Sequence, residues 1–199
     1  MLHFERIRRV FAKYNNLMRS RDLIGEGVDY YTLRRFLDAG YVHRVERGVY
    51  LWAEQEPGNE LYLIPYLFPE CLICMDSALL IYEYSDRIPL CWHLAAPQHA
   101  SRSKFKTRRF PVRVYFRHEP SFSIGATEMV YDGIRIRIYD RERTICDCIR
   151  ARNRMDREIF NKAMEAYGRD PLRNISTLLD YARRLRIENM TREIISLYQ

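Results

Sequence analysis

The hydrophobic period of the first fifty residues changes from helical to extended at Gly40. Before this glycine, apolar residues recur every three or four positions, which is typical of amphipathic helices. After it, two short runs rich in β-branched and aromatic residues follow. The sequence therefore predicts a small helical domain that is closed by a β-hairpin.

Three helices are predicted before Gly40. The first has an apolar stripe at helical spacing, formed by Phe4, Ile7, Phe11, Tyr14 and Met18. The second begins near Ser20 and ends at Gly25 and Gly27, because glycine readily adopts the positive φ that closes a helix. Two helices joined by a tight turn are therefore expected.

The third helix is predicted over residues 30–39, with Asp29 as its N-cap and Gly40 just after its end. Its spacing separates an apolar stripe from a polar face. The expected apolar residues are Tyr30, Leu33, Phe36 and Leu37, and the expected polar face carries Tyr31, Arg34, Arg35 and Asp38.

Two β-rich runs, 42–45 and 49–52, are separated by Glu46-Arg47-Gly48, which suits a hairpin whose glycine supplies a positive φ. Three helices followed by a hairpin is the order of a winged helix-turn-helix. Residues 54–59 then combine acidic and turn-forming residues, so we expect a domain boundary there. The predicted domains are 1–55 and 60–199.

The larger domain mixes strand and helix patterns, which makes the whole chain α+β. A helix is predicted over 70–82, strands over 91–95, 112–117 and 134–139, and an Asp132-Gly133 turn before the last strand. The domain should end in helices over 140–151, 156–167, 174–186 and 190–198.

A winged helix reads base edges with the outward face of its third helix, while its wing reaches the DNA backbone or the minor groove. Tyr31, Arg34 and Arg35 fit the first role, and Arg44 and Arg47 fit the wing. Thr32 lies near the helix N-terminus, where a hydroxyl and free backbone N–H groups suit a phosphate. The alternative is that these residues form an ordinary solvated surface.

The formal net charge of +7 favours polyanionic partners, and basic residues concentrate in 1–52 and 98–119. The basic segment Arg102 to Arg109 is either a solvated loop or a contact to DNA or a partner. No secretory signal or long apolar segment is evident, and five cysteines suggest a reduced compartment, so we expect a cytoplasmic protein with no membrane contact.

No metal site, cofactor or catalytic site is predicted. Cys71 and Cys74 have zinc-knuckle spacing but no matching second pair, so buried small residues in a helix are the preferred interpretation. Phosphate-binding glycine loops, a G-x-S-x-G elbow and metal-binding Asp-x-Asp pairs are all missing. Arg143-Thr144 and Asp147, on one predicted helix, are better explained by a buried ion pair or a helix cap than by a catalytic site.

Several segments carry a resemblance to a known family. These are Leu33 through Tyr50, with Ala39-Gly40 and Arg47-Gly48-Val49-Tyr50, and the segments Ser77-Ala78-Leu79, Ser85-Asp86-Arg87-Ile88-Pro89 and Arg143-Thr144-Ile145-Cys146-Asp147. In these segments the chain resembles the AbiEi antitoxins of bacterial abortive-infection and type IV toxin–antitoxin systems.

The resemblance implies a winged-helix repressor that binds an inverted-repeat operator of its own promoter. It also implies a C-terminal domain that counteracts a nucleotidyltransferase-like toxin without forming a stable complex. Two other functions stay open at the level of the sequence: a DNA-processing enzyme targeted by its winged helix, and a winged-helix protein-interaction module.

Overall fold

The computed structural model describes residues 2–53, 60–106 and 109–198. Their contacts divide the chain into two compact units, residues 1–66 and 67–199. The predicted boundary at 54–59 lies outside the described residues.

The N-terminal unit has the predicted winged helix-turn-helix order. Its elements are α1 (Leu2–Lys13), β1 (Leu17–Arg19), α2 (Ser20–Gly25), α3 (Tyr30–Asp38), β2 (Val42–Glu46) and β3 (Val49–Trp52). The strands form an antiparallel sheet in the order β1-β3-β2. Helical residues cover this small sheet with a core of aliphatic side chains around Phe11, Phe36 and Trp52.

The first helix ends earlier than the sequence predicts. It stops at Lys13, and Asn15 and Asn16 adopt positive φ angles of 51° and 64°. Met18 therefore lies in strand β1, opposite Tyr50, rather than on the helix stripe. Helical spacing predicted the wrong element here because Met18 is fully buried in strand β1. A buried apolar residue at this position fits the helical pattern and the extended pattern equally well.

Residues 60–66 pack with the N-terminal unit, although the sequence assigned them to the larger domain. Leu61 and Ile64 are buried, and the Tyr66 hydroxyl donates to the carbonyl of Tyr14 at 3.1 Å. The Arg19 guanidinium also donates to the carbonyls of Pro65 and Tyr66. These hydrogen bonds place Pro65 and Tyr66 beside strand β1. A 3₁₀ turn at Glu60–Tyr62 and the short helix α4 (Ile64–Leu67) follow the undescribed segment.

The C-terminal unit contains a five-stranded mixed sheet followed by a helical layer. Its strands are β4 (Leu72–Ile73), β5 (Trp92–Pro97), β6 (Val112–Arg117), β7 (Ala126–Tyr131) and β8 (Ile134–Tyr139), in the order β6-β5-β4-β8-β7. Its longer helices are α5 (Met75–Ile81), α6 (Arg141–Ala151), α7 (Arg157–Arg169), α8 (Ile175–Arg184) and α9 (Glu188–Ile195). The α+β class is thus confirmed.

The predicted helix over 70–82 is wrong in its first part. Leu72 and Ile73 form strand β4, which lies between β5 and β8 at the centre of the sheet, and the helix begins only at Met75. Both residues are fully buried, and a short apolar run of this kind does not distinguish a central strand from a buried helix turn. Strand β7 was missed because its residues are mostly exposed at the edge of the sheet.

Two glycines of the C-terminal unit adopt positive φ for different reasons. Gly133 (φ 75°) follows Asp132 (φ 51°) in the predicted turn between β7 and β8, and a Cβ atom there would contact nothing within 4 Å. Gly125 (φ 72°) lies against helix α6, where a Cβ atom would stand 2.4 Å from the Cβ of Arg143. Gly125 is therefore required both by its φ and by the close approach.

We predict that Gly125→Ala destabilises the protein more than Gly133→Ala. Gly133→Ala should lower the free energy of unfolding by about 1–2 kcal/mol, because alanine is strained in the left-handed backbone conformation. Gly125→Ala has the same strain and loses a further ~1–3 kcal/mol from the clash with the buried Arg143 side chain. Urea denaturation followed by circular dichroism measures both. Equal losses of stability would contradict the proposed packing of α6 on Gly125.

Candidate nucleic-acid interface

Helix α3 is held in the N-terminal unit by one apolar face. Leu33 and Phe36 are each 8% exposed, and the Phe36 ring lies 5.9 Å from the Trp52 ring. Phe4 of α1 stacks on Phe36 at 6.0 Å between ring centroids. Because this face is locked against α1 and β3, the opposite face of α3 is fixed in direction and points to solvent.

The N-terminus of α3 is capped by Asp29, as the sequence predicts. The Asp29 carboxylate accepts a hydrogen bond from the Thr32 backbone N–H at 2.7 Å. This bond, together with a second one from the Thr32 side chain, lowers the pKa of Asp29 below its ordinary value. The cap therefore already uses the Thr32 N–H, one of the N-terminal N–H groups of this helix.

The solvent face of α3 carries two tyrosines and two arginines. Tyr31 is 78% exposed, and Tyr30, predicted to be apolar and buried, is 67% exposed. Tyr30 occupies the first position of the helix, beyond the edge of the core, so its three-residue spacing from Leu33 does not bury it. Arg34 and Arg35 are both exposed; the Arg34 Nε atom lies 3.9 Å from Asp38 Oδ2, an ion pair that water screens strongly.

The wing is a two-residue turn formed by Arg47 and Gly48 between β2 and β3. Gly48 has a φ of 78°, and its carbonyl accepts a hydrogen bond of 2.9 Å from the Ser20 N–H at the start of α2. The wing turn is thereby attached to the helix-turn-helix. Arg47 is exposed at this turn, and the exposed Arg44 Nε donates to the carbonyl of Glu46 at 3.4 Å.

The turn between α2 and α3 is also attached to α1. Glu26 accepts hydrogen bonds from Lys13 at 3.0 Å and from the Tyr14 hydroxyl at 3.2 Å. The Lys13 hydrogen bond lowers the pKa of the Glu26 carboxyl. Arg6 adds longer contacts of 3.3 Å to the carbonyls of Glu26 and Gly27. These bonds hold the turn in place relative to α1.

The structure brings the six predicted contact residues into one unit and leaves five of them exposed. Thr32 is the exception, since it is half-buried beneath the cap. Two other exposed residues were not predicted as contact residues from the sequence. They are Tyr30, at the start of α3, and His43, which lies on β2 beside Arg44. The alternation of buried Val42 and Val45 with exposed His43 and Arg44 was the available signal.

The other candidates from the sequence lie in the C-terminal unit. Cys71 and Cys74 flank strand β4 and are buried, and burial raises the pKa of the Cys71 thiol to about 12. In the part of the chain that the structure describes, no group of three or more His, Cys, Asp or Glu side chains could hold a metal ion. Arg143 Nε and Asp147 Oδ1 form the expected buried ion pair at 3.3 Å.

The fold and the exposed face of α3 define a winged helix-turn-helix unit of the kind found in transcription regulators. Residues 5–52 match the family model described as "Transcriptional regulator, AbiEi antitoxin". The resemblance to AbiEi antitoxins is confirmed over this segment, which covers about a quarter of the chain. No curated protein matches the chain. Among the described residues, no helix has the length and apolar character needed to span a membrane.

The Asp29 cap gives a prediction about α3. We expect Asp29→Ala to lower the melting temperature of the N-terminal unit and to weaken DNA binding, because it frees the N-terminal N–H groups of α3. Asp29→Asn keeps an acceptor and should retain most of both. Thermal unfolding followed by circular dichroism, together with gel shifts, measures the two effects.

The pH dependence follows from the lowered pKa of Asp29. A depressed carboxyl pKa contributes stability above the unfolded-state pKa, and this is lost as the pH falls through the folded-state value. The wild type should therefore be more stable than Asp29→Asn at neutral pH, and this difference in stability should disappear as the pH falls through the pKa of Asp29 in the folded protein. Asp38→Asn, at the other end of α3, is the matched control, and an equal effect there would contradict the capping role.

Proposed function

We propose that the protein is a sequence-specific DNA-binding autorepressor and an antitoxin that counteracts a nucleotidyltransferase-like toxin. The observation that carries the first part is the exposed face of α3, which belongs to the segment matched by the regulator family. The second part rests on the description of that family as an antitoxin.

The proposed recognition surface consists of Tyr31, Arg34 and Arg35, with Tyr30 beside them. An arginine can donate two parallel hydrogen bonds to guanine O6 and N7 in the major groove, and a tyrosine can contact a base edge or a phosphate. The Tyr30 and Tyr31 rings meet edge to face at 6.0 Å, which limits the orientations that either ring can adopt. Support for base readout comes from the fixed direction of α3, because a loosely held helix would not distinguish sequences.

Arg44 and Arg47 are proposed to bind the DNA backbone. Both belong to the hairpin, which the Ser20–Gly48 hydrogen bond attaches to the start of α2. A wing held in this way places positive charge beside the groove occupied by the recognition helix. Thr32 is left with at most a weak role in DNA contact, since its N–H and hydroxyl both serve Asp29.

The operator and the toxin are proposed from the resemblance. An inverted-repeat operator requires two copies of the recognition helix, one for each half-site, so we propose that two copies of the chain bind its own promoter. The C-terminal unit lacks this helix, and we assign to it the antitoxin activity in abortive infection, exerted without a stable complex with the toxin. Repression and neutralisation should then be separable by mutation.

The double variant Arg34→Ala/Arg35→Ala should lose operator binding and promoter repression but retain toxin neutralisation. Losing an arginine that bonds a guanine costs about 1–3 kcal/mol, or roughly 5- to 150-fold in affinity, for each such contact. Gel shifts with the promoter DNA, a promoter reporter and growth rescue of cells that express a candidate nucleotidyltransferase-like toxin measure these effects.

The matched control is Arg169→Ala/Arg173→Ala, which removes two exposed arginines from the C-terminal unit. It should leave operator affinity unchanged. Wild-type operator binding by the α3 variant would overturn the recognition surface. Loss of growth rescue in that variant, with the fold intact, would overturn the separation of the two activities.

Arg44→Ala and Arg47→Ala should each weaken binding to specific and unrelated DNA by similar factors. Each lost phosphate contact should also reduce the slope of log affinity against log salt concentration by roughly one unit. Titrations of labelled operator and of scrambled DNA at several salt concentrations measure both quantities. A changed sequence preference with an unchanged salt slope would show that these arginines read bases instead.

A further inference from the structure

The C-terminal unit contains a polar cavity of about 410 Å³ that the proposed function does not use. It opens beside the first turn of α5, the end of α6, and the face of β6 that carries Arg113, Tyr115 and Arg117. Its volume lies within the range of small-molecule sites in proteins. Its one local signal in the sequence is the alternation Arg113-x-Tyr115-x-Arg117 along strand β6.

A buried carboxylate lies in the wall of this cavity. The Asp147 side chain is 1% exposed, and its Oδ1 atom lies 3.3 Å from Arg143 Nε and 3.6 Å from Arg117 Nη2. These contacts are ion pairs without hydrogen-bond geometry, so neither Asp147 oxygen accepts a hydrogen bond from any described residue. Buried carboxylate oxygens in proteins nearly always accept such bonds. Asp147 is therefore an acceptor available to a ligand.

Four arginines line the same cavity: Arg113, Arg117, Arg150 and Arg154. Asp76 and Asp156 also line the cavity, and Asp156 already accepts hydrogen bonds from Arg87 at 3.0 Å and from the Glu158 N–H at 2.8 Å. Arg154 makes no side-chain hydrogen bond or ion pair with the described part of the chain. The cavity thus combines one deep acceptor with several guanidinium groups, which bind phosphate oxygens in a bidentate manner.

The remaining wall is aromatic and apolar. Tyr115 is half-buried, with its hydroxyl 3.3 Å from His93 Nδ1, and Met75 and Met155 lie nearby in the lining. Burial raises the pKa of Tyr115 to about 12 and lowers the pKa of His93. Both rings are therefore neutral near pH 7. They are inclined by 50° to each other and His93 is buried, so the face on which a heterocycle can pack is that of the half-buried Tyr115 ring.

We propose that this cavity binds a nucleoside monophosphate. The phosphate would lie on the guanidinium groups of Arg150 and Arg154, the base against Tyr115, and a donor group of the base or ribose at Asp147. This site is distinct from the DNA-binding face of α3 and does not depend on the proposed repressor function.

Isothermal titration calorimetry of the full chain with AMP, GMP, CMP and UMP tests the proposal, with the nucleosides and inorganic phosphate as partial ligands. We expect at least one nucleotide to bind with a Kd below about 100 μM, and its nucleoside and inorganic phosphate to bind at least about tenfold more weakly. The exposed pair Arg150→Gln/Arg154→Gln should reduce nucleotide affinity about tenfold or more without unfolding the protein, as checked by circular dichroism.

Two control variants locate the binding. Arg169→Gln, whose side chain is 82% exposed on α7, and Arg34→Gln/Arg35→Gln in the winged helix should both bind the nucleotide as the wild type does. Failure of all four nucleotides to bind at about 1 mM would overturn the proposal. Equal affinity for inorganic phosphate would overturn it as well, since the base and Asp147 would then contribute nothing. Loss of binding in the α3 variant alone would assign the nucleotide to the DNA-binding surface instead.

Discussion

Trp52 lies at the centre of the N-terminal unit, with its ring centroid 5.5 Å from those of Phe4 and Phe11 and 5.9 Å from that of Phe36. It is only 2% exposed and belongs to strand β3, whereas its aromatic neighbours belong to α1 and α3. One side chain therefore joins the hairpin to the helices. The directions of α3 and of the wing both depend on this packing, which the stacking of Phe4 on Phe36 reinforces.

Polar contacts then set the finer geometry of the same unit. Asp29 caps α3, Glu26 attaches the turn before it to α1, and Ser20 attaches the wing turn to α2. All three bonds are near the surface, where each adds little stability by itself. Their effect is to restrict how far the arginine-bearing segments can move relative to one another, and that restriction is what a sequence-reading surface needs.

The C-terminal unit is organised around a buried charge. The guanidinium of Arg143 is completely buried and lies over the Tyr139 ring at 4.2 Å, while its Nη1 atom donates to the carbonyls of Ser121 and Ile124 at 2.6 and 2.8 Å. Asp147 is one helical turn further along α6 and is its ionic partner. Removing either member would leave the other charge buried and unpaired, which is a strongly destabilising arrangement. This pair positions the acceptor that faces the cavity beside β6.

The sequence alone determined the order of the winged helix, the caps Asp29 and Asp140, the glycine turns and the exposed arginines, because each depends on neighbours only a few residues away. It also indicated the Arg143–Asp147 pair, since the two residues are four positions apart on one helix. Tertiary structure decided the rest. Leu72 and Ile73 became a central strand only through pairing with β5 and β8, and Met18 became a strand residue only through pairing with β3. The cavity likewise joins α5, β6 and α6, and no local pattern records contacts between segments so far apart in the chain.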